Sequence, residues 1–293
     1  MATGDIKELP LVVIVGPTAS GKTALAIELA KRFGGEIICA DSRTIYKGMD
    51  IGTAKPTTAE RQQVPHWGLD LIEPGERYSA AEFKKYAEQK IIDIRTRGHI
   101  PFLVGGTGLY VDAVIFNYEF GSVADEAQRA RLEQMTLDQL IIYCRNNNIT
   151  LPENDRNKRY VIRAIEQNGQ RASRSTAPVN PCIIVGIATE RGNLRGRIER
   201  RIEQLLHDGV VEESILLGKK YGWDSQAMTG NIYPLVHQYL NKALSLDELK
   251  EKSTTLDWRL AKRQLTWLRR NPYVTWGTIE ETKRMLIERL DRV

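Results

Sequence analysis

The stretch Leu11-Val-Val-Ile-Val15-Gly16-Pro-Thr-Ala-Ser-Gly21-Lys22-Thr23 decides the fold. Its first five residues are apolar and mostly β-branched, which is typical of a buried parallel strand. The following eight have the spacing GxxxxGKT, and a helical pattern then covers 23–32 before a glycine pair at 34–35. A strand, a glycine-rich turn and a helix in this order predict a P-loop that binds a phosphate chain.

The chemistry of this loop depends on its backbone as much as on its side chains. Glycines let the chain fold around an anion, so that several N–H groups and a helix N-terminus point at it. A lysine adds a positive charge, and the Thr23 hydroxyl is a candidate ligand for Mg²⁺. The residues predicted to bind the phosphates are Gly16, Pro17, Thr18, Ala19, Ser20, Gly21, Lys22 and Thr23.

Strand and helix patterns alternate through the first hundred residues. After the P-loop helix, strand patterns lie at 36–40, 68–72 (the weakest) and 100–104. A helical pattern lies at 79–97, where Ser79 and Glu82 are placed to form a capping box. This alternation predicts an α/β fold of the P-loop NTPase-like type, with a parallel sheet and helices on both of its faces.

The pattern changes after the fourth strand. From 117 to 180 it is helical, with candidate helices at 125–135 and 137–146, and strand character returns at 182–188 and briefly at 273–276. We therefore expect a core made of 1–116 and 181–293, which includes C-terminal helices, and a mainly helical insertion at 117–180.

Charge and composition limit the class of protein. The 293 residues contain 42 Lys and Arg against 37 Asp and Glu, and the excess lies in three arginine-rich segments, 155–175, 190–201 and 257–270. Arginine pairs with phosphate and stacks on bases, so the segments suit a nucleic acid, although solvated helix faces have the same composition.

Targeting and metal-binding signals are weak in this sequence. It has no apolar run near the roughly 20 residues that cross a bilayer, and 1–10 lacks a signal-peptide pattern, so we expect no membrane partner. The 3 cysteines and 4 histidines are scattered, which argues against a disulfide framework or a zinc site and favours a reducing, cytoplasmic location.

Asp41 follows the strand pattern at 36–40, at the sheet edge where open α/β folds bind ligands. Its carboxylate is a candidate Mg²⁺ ligand of a kinase or ATPase, a candidate general base, or the cap of the next turn. The sequence lacks an Asn/Thr-Lys-x-Asp element, which argues against a guanine-specific GTPase. The local pattern leaves the three roles of Asp41 open.

Several motifs together resemble the tRNA dimethylallyltransferase (tRNA isopentenyltransferase) family, in its bacterial form without a zinc-finger extension. They are the P-loop, DSRTIYKGMDIGTAKP at 41–56, VPH at 64–66, GGTGLY at 105–110, Arg191 with RIERR at 197–201, and KRQLTWLR at 262–269. The resemblance covers about 11–276.

This resemblance implies transfer of a dimethylallyl group from dimethylallyl diphosphate to N6 of adenine 37 in a tRNA anticodon stem-loop, with Mg²⁺ as cofactor, by a monomeric enzyme. Asp41 would be the general base, and Lys22, Arg191 and Arg201 would stabilise the diphosphate that leaves. The catalytic residues implied are Asp41, Thr107, Lys22 and Arg201. The implied tRNA contacts are Asp41, Ser42, Arg43, Thr44, Thr107, Arg129, Arg159, Arg163, Arg263 and Gln264.

Some positions depart from the family or have a second interpretation. Tyr160 stands where the family usually has arginine, Thr44 where it often has glutamine, and Gly230-Asn-Ile-Tyr233 replaces a Gly-Tyr-Lys/Arg-Glu/Gln element. The Thr107 hydroxyl is also placed to cap the next helix. The helix face at 263–267 has a second interpretation, which is packing against other helices. A P-loop small-molecule or nucleoside kinase, a transferase acting on free AMP or ADP, and a non-catalytic RNA-binding module are the alternative functions.

Overall fold

A computed structural model describes residues 9–121, 125–169, 173–230 and 232–292. Three features of the sequence lie partly or wholly outside these residues: the N-terminal segment 1–10, Arg171 in the first basic segment, and Asn231 in the altered glycine element.

Six strands of the described chain form one parallel sheet in the order β3-β2-β4-β1-β5-β6. They are β1 Leu11–Val15, β2 Gly35–Ala40, β3 His66–Trp67, β4 Ile100–Gly105, β5 Cys182–Ile187 and β6 Thr275–Gly277. All residues of β1, β2 and β4 are buried, which explains why these strands are apolar apart from Glu36 of β2, whose buried carboxylate pairs with Arg97. The predicted fold class is confirmed.

The helices of the core pack around this sheet. Val12 and Ile14 of β1 share one buried cluster with Leu25, Leu29 and Leu286, while the helices Ala80–Thr96 and Gly108–Ile115 contact β4. The bounds are α1 Lys22–Phe33, α2 Thr58–Gln63, α3 Ala80–Thr96, α4 Gly108–Ile115, α8 Arg191–His207, α9 Val210–Tyr221, α10 Tyr233–Leu240, α11 Leu246–Leu268 and α12 Ile279–Leu290, with a 3₁₀ turn at Ala227–Thr229. Ser79 and Glu82 form the predicted capping box of α3.

The predicted strand at 68–72 is wrong. The strand here is β3, which ends at Trp67, because Gly68 and Asp70 take left-handed conformations with φ of +81° and +55°. The backbone of 70–72 bonds instead to the loop after β2, where Leu71 N donates to Ile45 O at 2.7 Å.

The chain divides into two compact units, Met1–Ile115 with Pro178–Val293, and Phe116–Ala177. The second unit contains α5 Glu126–Gln134, α6 Leu137–Asn146 and α7 Lys158–Glu166, which share a small core of Leu132, Leu140, Cys144, Val161 and Ile162. In the described part of the chain, no helix is both long and apolar enough to cross a lipid bilayer.

The register of the sheet brings three strand ends together. Gly105, the last residue of β4, pairs with Val15 of β1 on one side and Ala40 of β2 on the other. A β-carbon on Gly105 would collide with the Ala40 carbonyl oxygen, so this close approach requires glycine. The residues that follow these strands, which are Gly16, Asp41 and Gly106, therefore start from one edge of the sheet.

Candidate active site

The P-loop joins β1 to α1 through a tight turn. Ser20 N donates to Pro17 O at 3.2 Å, and Ala19 and Gly21 have φ of +59° and +90°. Left-handed residues within such a loop turn successive N–H groups toward one concave surface, which is the form of an anion-binding nest. Gly21 directly precedes Lys22, the first residue of α1, so the positive end of the helix dipole faces the same place.

Side chains from two distant helices bond to this loop. In α8, Arg201 Nη1 donates to Thr18 Oγ1, and Arg197 Nη1 donates to Ser20 O at 3.1 Å. From α11, Gln264 Oε1 accepts a hydrogen bond from Thr18 N at 2.8 Å. The loop is thus held by contacts across 246 residues of sequence, which fixes its shape before any ligand binds.

Two buried polar atoms of the loop region have no hydrogen-bond partner among the described residues. They are Ser20 Oγ and Arg201 Nε, both of which can donate a hydrogen bond. Native structures rarely leave such groups unpaired. Arg201 lines a cavity beside the loop, where an oxygen-rich anion would supply the missing acceptor, whereas Ser20 is fully buried and does not line it.

Lys22 is a partly buried cation of this site. Its Nζ donates to Pro17 O at 3.2 Å, and burial lowers its pKa to about 8, an effect that Asp41 partly offsets and Arg201 increases. The amine carries its proton at neutral pH and loses it as the pH rises through about 8.

We expect the affinity for inorganic pyrophosphate to weaken above pH 8, because deprotonation of Lys22 removes a positive charge that faces the anion. Calorimetric titration from pH 6.5 to 9.5 measures this. The Lys22→Arg variant keeps its charge throughout that range and controls for ionisation of the ligand, so its affinity should not show the decline. If the dissociation constants of the wild type and the Lys22→Arg variant for pyrophosphate change in parallel at every pH, then deprotonation of Lys22 does not weaken binding.

Asp41 and Thr107 meet at the neighbouring strand ends. Asp41 Oδ1 accepts a hydrogen bond from Arg43 N at 2.8 Å, so one oxygen caps the turn and the other is unbonded among the described residues. Thr107 Oγ1 accepts from Ser42 N at 3.1 Å and lies 3.5 Å from Ser42 Oγ. The Thr107 hydroxyl therefore does not cap α4, whose first turn bonds to the Thr107 carbonyl instead.

A cavity of about 310 Å³ connects the P-loop with these two residues. Its polar wall comes from the P-loop, the strand ends, α8 and α11, and its apolar wall from β2, β4, α8 and the start of α10. Cys39 also lines it, and burial raises the pKa of this thiol to about 12, which keeps it protonated. The polar lining includes Thr18, Lys22, Thr23, Asp41, Ser42, Arg43, Thr44, Thr107, Arg201, Arg263 and Gln264, and the apolar lining Ile37, Val104, Ile202, Leu205 and Ile232.

Comparison with known families gives this cavity a chemical context. Residues 44–271 match the family model described as IPP transferase, and residues 9–69 match that of isopentenyl transferase. The chain belongs to the IPP transferase family. It is therefore an enzyme of a prenyltransferase family, and the family expected from the sequence motifs is confirmed.

Named relatives of this IPP transferase cover nearly the whole chain. The tRNA dimethylallyltransferase of Pelotomaculum thermopropionicum is 39% identical over 294 residues, which is 95% of this chain and 93% of the relative. That of Acetivibrio thermocellus is 40% identical over 291 residues, or 92% of each chain. None of these relatives is a kinase, so the comparisons do not favour the kinase alternative.

Solved structures show the same architecture. The crystal structure of the full-length tRNA isopentenylpyrophosphate transferase from Bacillus halodurans is 37% identical, has a TM-score of 0.73 and covers 98% of both chains. A eukaryotic dimethylallyltransferase acting on tRNA has a TM-score of 0.75 over 92% of this chain and 74% of its own, and at 22% identity it supports the fold alone.

The donor set of the cavity fits Mg²⁺ bound together with phosphates. The described residues contain no group of three or more His, Cys, Asp or Glu side chains that would hold a metal unaided. Mg²⁺ that bridges phosphate oxygens needs only one or two protein oxygens, since water completes its octahedron. The Thr23 hydroxyl and Asp41 both line the cavity, and Thr23 is the predicted ligand.

The remaining predicted residues of this IPP transferase lie in three places. Arg191 begins α8, ten residues or about 15 Å from Arg201 by helical rise, and does not line the cavity. Arg197, which sequence reasoning gave no role, bonds to the P-loop; its i, i+4 spacing to Arg201 was the available signal. The guanidinium of Arg43 lies 3.4 Å from Thr229 Oγ1 at the edge of the cavity.

Within the second unit, Arg129 and Arg163 share one acidic partner. Glu166 has a fully buried side chain, and its two oxygens lie 3.1 Å from Arg129 Nε and 3.2 Å from Arg163 Nη1. The pair of guanidiniums is thus fixed beside a carboxylate while remaining partly exposed. Arg159 and Tyr160 are exposed on α7.

The loop at 50–54, which lines the cavity at Gly52, Thr53 and Ala54, is held by Glu213 of α9. The Glu213 carboxylate accepts hydrogen bonds from the backbone N–H groups of Asp50, Ile51 and Gly52 at 2.8, 2.6 and 2.8 Å, and from Tyr233 Oη at 2.9 Å. Because Thr53 O lies 3.5 Å from Arg201 Nη2, the position of this loop also affects the phosphate side of the cavity.

We expect Glu213→Gln to destabilise the enzyme by about 2 kcal/mol and to raise the KM for the prenyl donor, because an amide has one oxygen to replace a carboxylate that accepts four hydrogen bonds. Thermal unfolding and steady-state kinetics measure the two effects. The neighbouring exposed residue supplies the control: Glu212→Gln should change neither. Equal melting temperatures for the two variants would show that the loop is held by other contacts.

Proposed function

We propose that this enzyme transfers a dimethylallyl group from dimethylallyl diphosphate to N6 of adenine 37 in tRNA. The observation that carries the proposal is that one cavity combines the phosphate cradle at one side, Asp41 and Thr107 at the other, and apolar side chains between them. A donor with an anionic head and a short hydrocarbon chain fits these surroundings. The names of the relatives identify such a donor and a tRNA acceptor.

The P-loop side stabilises the leaving group. As the allylic C–O bond breaks, negative charge accumulates on the diphosphate, where the loop N–H groups, Lys22 and Arg201 donate hydrogen bonds in a largely buried setting. Mg²⁺ held by Thr23 and the phosphate oxygens would add positive charge at the same place. Preorganised donors of this kind need no rearrangement as the charge develops, and the P-loop contacts of Arg197, Arg201 and Gln264 provide that preorganisation.

The strand-end side prepares the nucleophile. The lone pair of an exocyclic adenine amine is delocalised into the ring, so attack on the allylic carbon needs a base that removes the amine proton. The unbonded oxygen of Asp41 accepts this proton, while the Oδ1 hydrogen bond from Arg43 N fixes the carboxylate's orientation. Thr107, held in place by Ser42 N, supports the adenine beside it.

The adenine reaches Asp41 only after it leaves the anticodon stack. In this proposal the extruded base contacts Ser42, Arg43 and Thr44, which line the cavity beside Asp41, and Arg263 on α11 adds a positive charge to the lining. In the second unit, Arg129, Arg159 and Arg163 bind backbone phosphates of the anticodon stem, with Tyr160 available for stacking. This substrate also implies a cytoplasmic enzyme, which we propose acts as a monomer.

The direct test is incubation of the protein with Mg²⁺, dimethylallyl diphosphate and unmodified tRNA, followed by mass spectrometry of the nucleosides. We expect a prenyl group on adenine 37 and on no other adenosine. Parallel reactions with AMP in place of tRNA, and with ATP in place of the donor, should give no product. Prenylated AMP, or ATP turnover that yields a phosphorylated product without RNA, would overturn the proposal in favour of an alternative function.

A further inference from the structure

Gln264 lies between the turns that follow β1 and β4. Its Oε1 accepts the hydrogen bond from Thr18 N of the P-loop at 2.8 Å. Its Nε2 packs against the other turn so closely that a β-carbon added to Gly106 would lie 2.5 Å from it. The same β-carbon would lie 3.1 Å from Gly16 O, so the two turns approach each other closely at this side chain.

The next turn of α11 continues the same packing. Trp267, three residues after Gln264, lies against Gly108 so tightly that a β-carbon there would collide with the indole, and its Nε1 donates to Asp112 Oδ2 at 2.6 Å. Residues at i and i+3 share a helix face, so this face of α11 is anchored to α4 and the turn before it. Helix packing, the alternative interpretation for this segment, is what the structure shows for Trp267.

The two turns carry the two halves of the reaction. Thr18 belongs to the loop that binds the diphosphate, while Thr107, one residue after Gly106, bonds to Ser42 next to Asp41. A side chain inserted between them sets the distance from the donor's leaving group to the acceptor's base. Reacting atoms must approach to about 3–3.5 Å, and a misplacement of about 1 Å costs roughly 10²-fold in rate.

We propose that Gln264 is a positioning residue, which holds the diphosphate cradle at a fixed separation from the Thr107 turn and does not serve to recognise RNA. The inference rests on the proposed function for the identity of the two substrates. It departs from the family resemblance, which places Gln264 among the tRNA contacts. The adjacent Arg263 is exposed and lines the cavity, and it provides the contrasting case of a residue placed to contact tRNA.

The test compares Gln264→Met, which keeps the length of the side chain and removes the acceptor for Thr18 N, with Arg263→Met, which removes a charge one residue away. For each we would measure the dissociation constants of Mg²⁺-pyrophosphate and of unmodified tRNA separately, and kcat with both substrates saturating. Thr266→Ala, an exposed change on the same helix, controls for general disturbance of α11.

We expect Gln264→Met to weaken pyrophosphate binding at least fivefold and to lower kcat about 10- to 100-fold, with tRNA affinity within twofold of wild type. Arg263→Met should weaken tRNA binding and leave pyrophosphate binding close to that of the wild type. A Gln264→Met enzyme with weakened tRNA binding and unchanged pyrophosphate binding would overturn the inference. So would unchanged kcat and unchanged affinity for both ligands.

A second pair of variants keeps the test decisive if Gln264→Met folds poorly. Gly106→Ala forces a methyl group against Gln264 Nε2 and should reproduce the loss of kcat, and Gln264→Ala should relieve part of that loss because it vacates the space. If the losses of kcat in Gly106→Ala and Gln264→Ala are additive in free energy when the two substitutions are combined, then the two residues do not act through a shared contact. Failure of the proposed function is distinguishable, since it would appear as absent prenylation by the wild-type enzyme.

Discussion

Asp41→Asn should lower kcat for tRNA prenylation by about 10²- to 10⁴-fold, because the amide cannot accept the proton of the adenine amine. The substitution is nearly isosteric, and the Asn side-chain oxygen still accepts the hydrogen bond that Arg43 N gives to Asp41 Oδ1 at 2.8 Å. The turn is therefore expected to survive, and the loss to fall on the chemical step. Single-turnover kinetics with saturating donor and tRNA measures that step.

Binding measurements complete the case for Asp41. Affinities for pyrophosphate and tRNA should remain within a few-fold of wild type in Asp41→Asn, and the melting temperature should be unchanged. Asp224→Asn, at an exposed carboxylate, is the matched control and should retain full activity. An Asp41→Asn enzyme as fast as wild type would exclude a general base at this position and leave the carboxylate with its turn-capping role alone.

Arg201→Gln should give the second large effect, a loss of about 10²- to 10³-fold in kcat accompanied by a higher KM for the donor. Arg201 Nη1 donates to Thr18 Oγ1 of the diphosphate cradle, Nη2 lies 3.5 Å from Thr53 O, and the buried Nε has no partner among the described residues. The substitution removes the charge that opposes the one developing on the leaving group. Steady-state kinetics with varied donor concentration separates the two parameters.

Another arginine of α8 provides the control. Arg195 is exposed, pairs with Glu199 on the surface and lies outside the catalytic cavity and outside the open pocket that borders Ala19 and Gly21 of the P-loop. Arg195→Gln removes the same charge from the same helix and should leave donor KM within twofold of wild type. If the two variants lose equal activity, then the effect of Arg201 comes from the overall positive electrostatic potential of α8, and the specific contact with the P-loop is unimportant.

Local sequence was enough to predict the parts of the fold that are built locally. The β-branched run at 11–15, the glycines of the P-loop and the Ser79–Glu82 capping box each specify their structure within a few residues, and all three are found where expected. The strand predicted at 68–72 failed because the apolar residues there are interrupted by left-handed conformations at Gly68 and Asp70, which the alternation of side chains does not reveal.

The contacts that shape the site depend on how distant elements pack. Glu212 and Glu213 are adjacent and chemically identical, yet one is exposed and the other accepts four hydrogen bonds, a difference set by the approach of the loop at 50–52 to α9. Gln264 likewise meets Thr18 from 246 residues away. Family resemblance named Gln264 as part of a motif, but only the three-dimensional arrangement shows which partner it has.

In one catalytic turnover the P-loop releases a diphosphate while Asp41 takes a proton from the adenine amine. Quantifying both products of a single turnover, the inorganic pyrophosphate and the prenylated adenine 37, tests this coupling. We expect a ratio of one to one with the wild-type enzyme and loss of both products together in Asp41→Asn. If Asp41→Asn releases pyrophosphate at the wild-type rate without modifying tRNA, or if the wild-type enzyme modifies tRNA without releasing pyrophosphate, this mechanism is wrong.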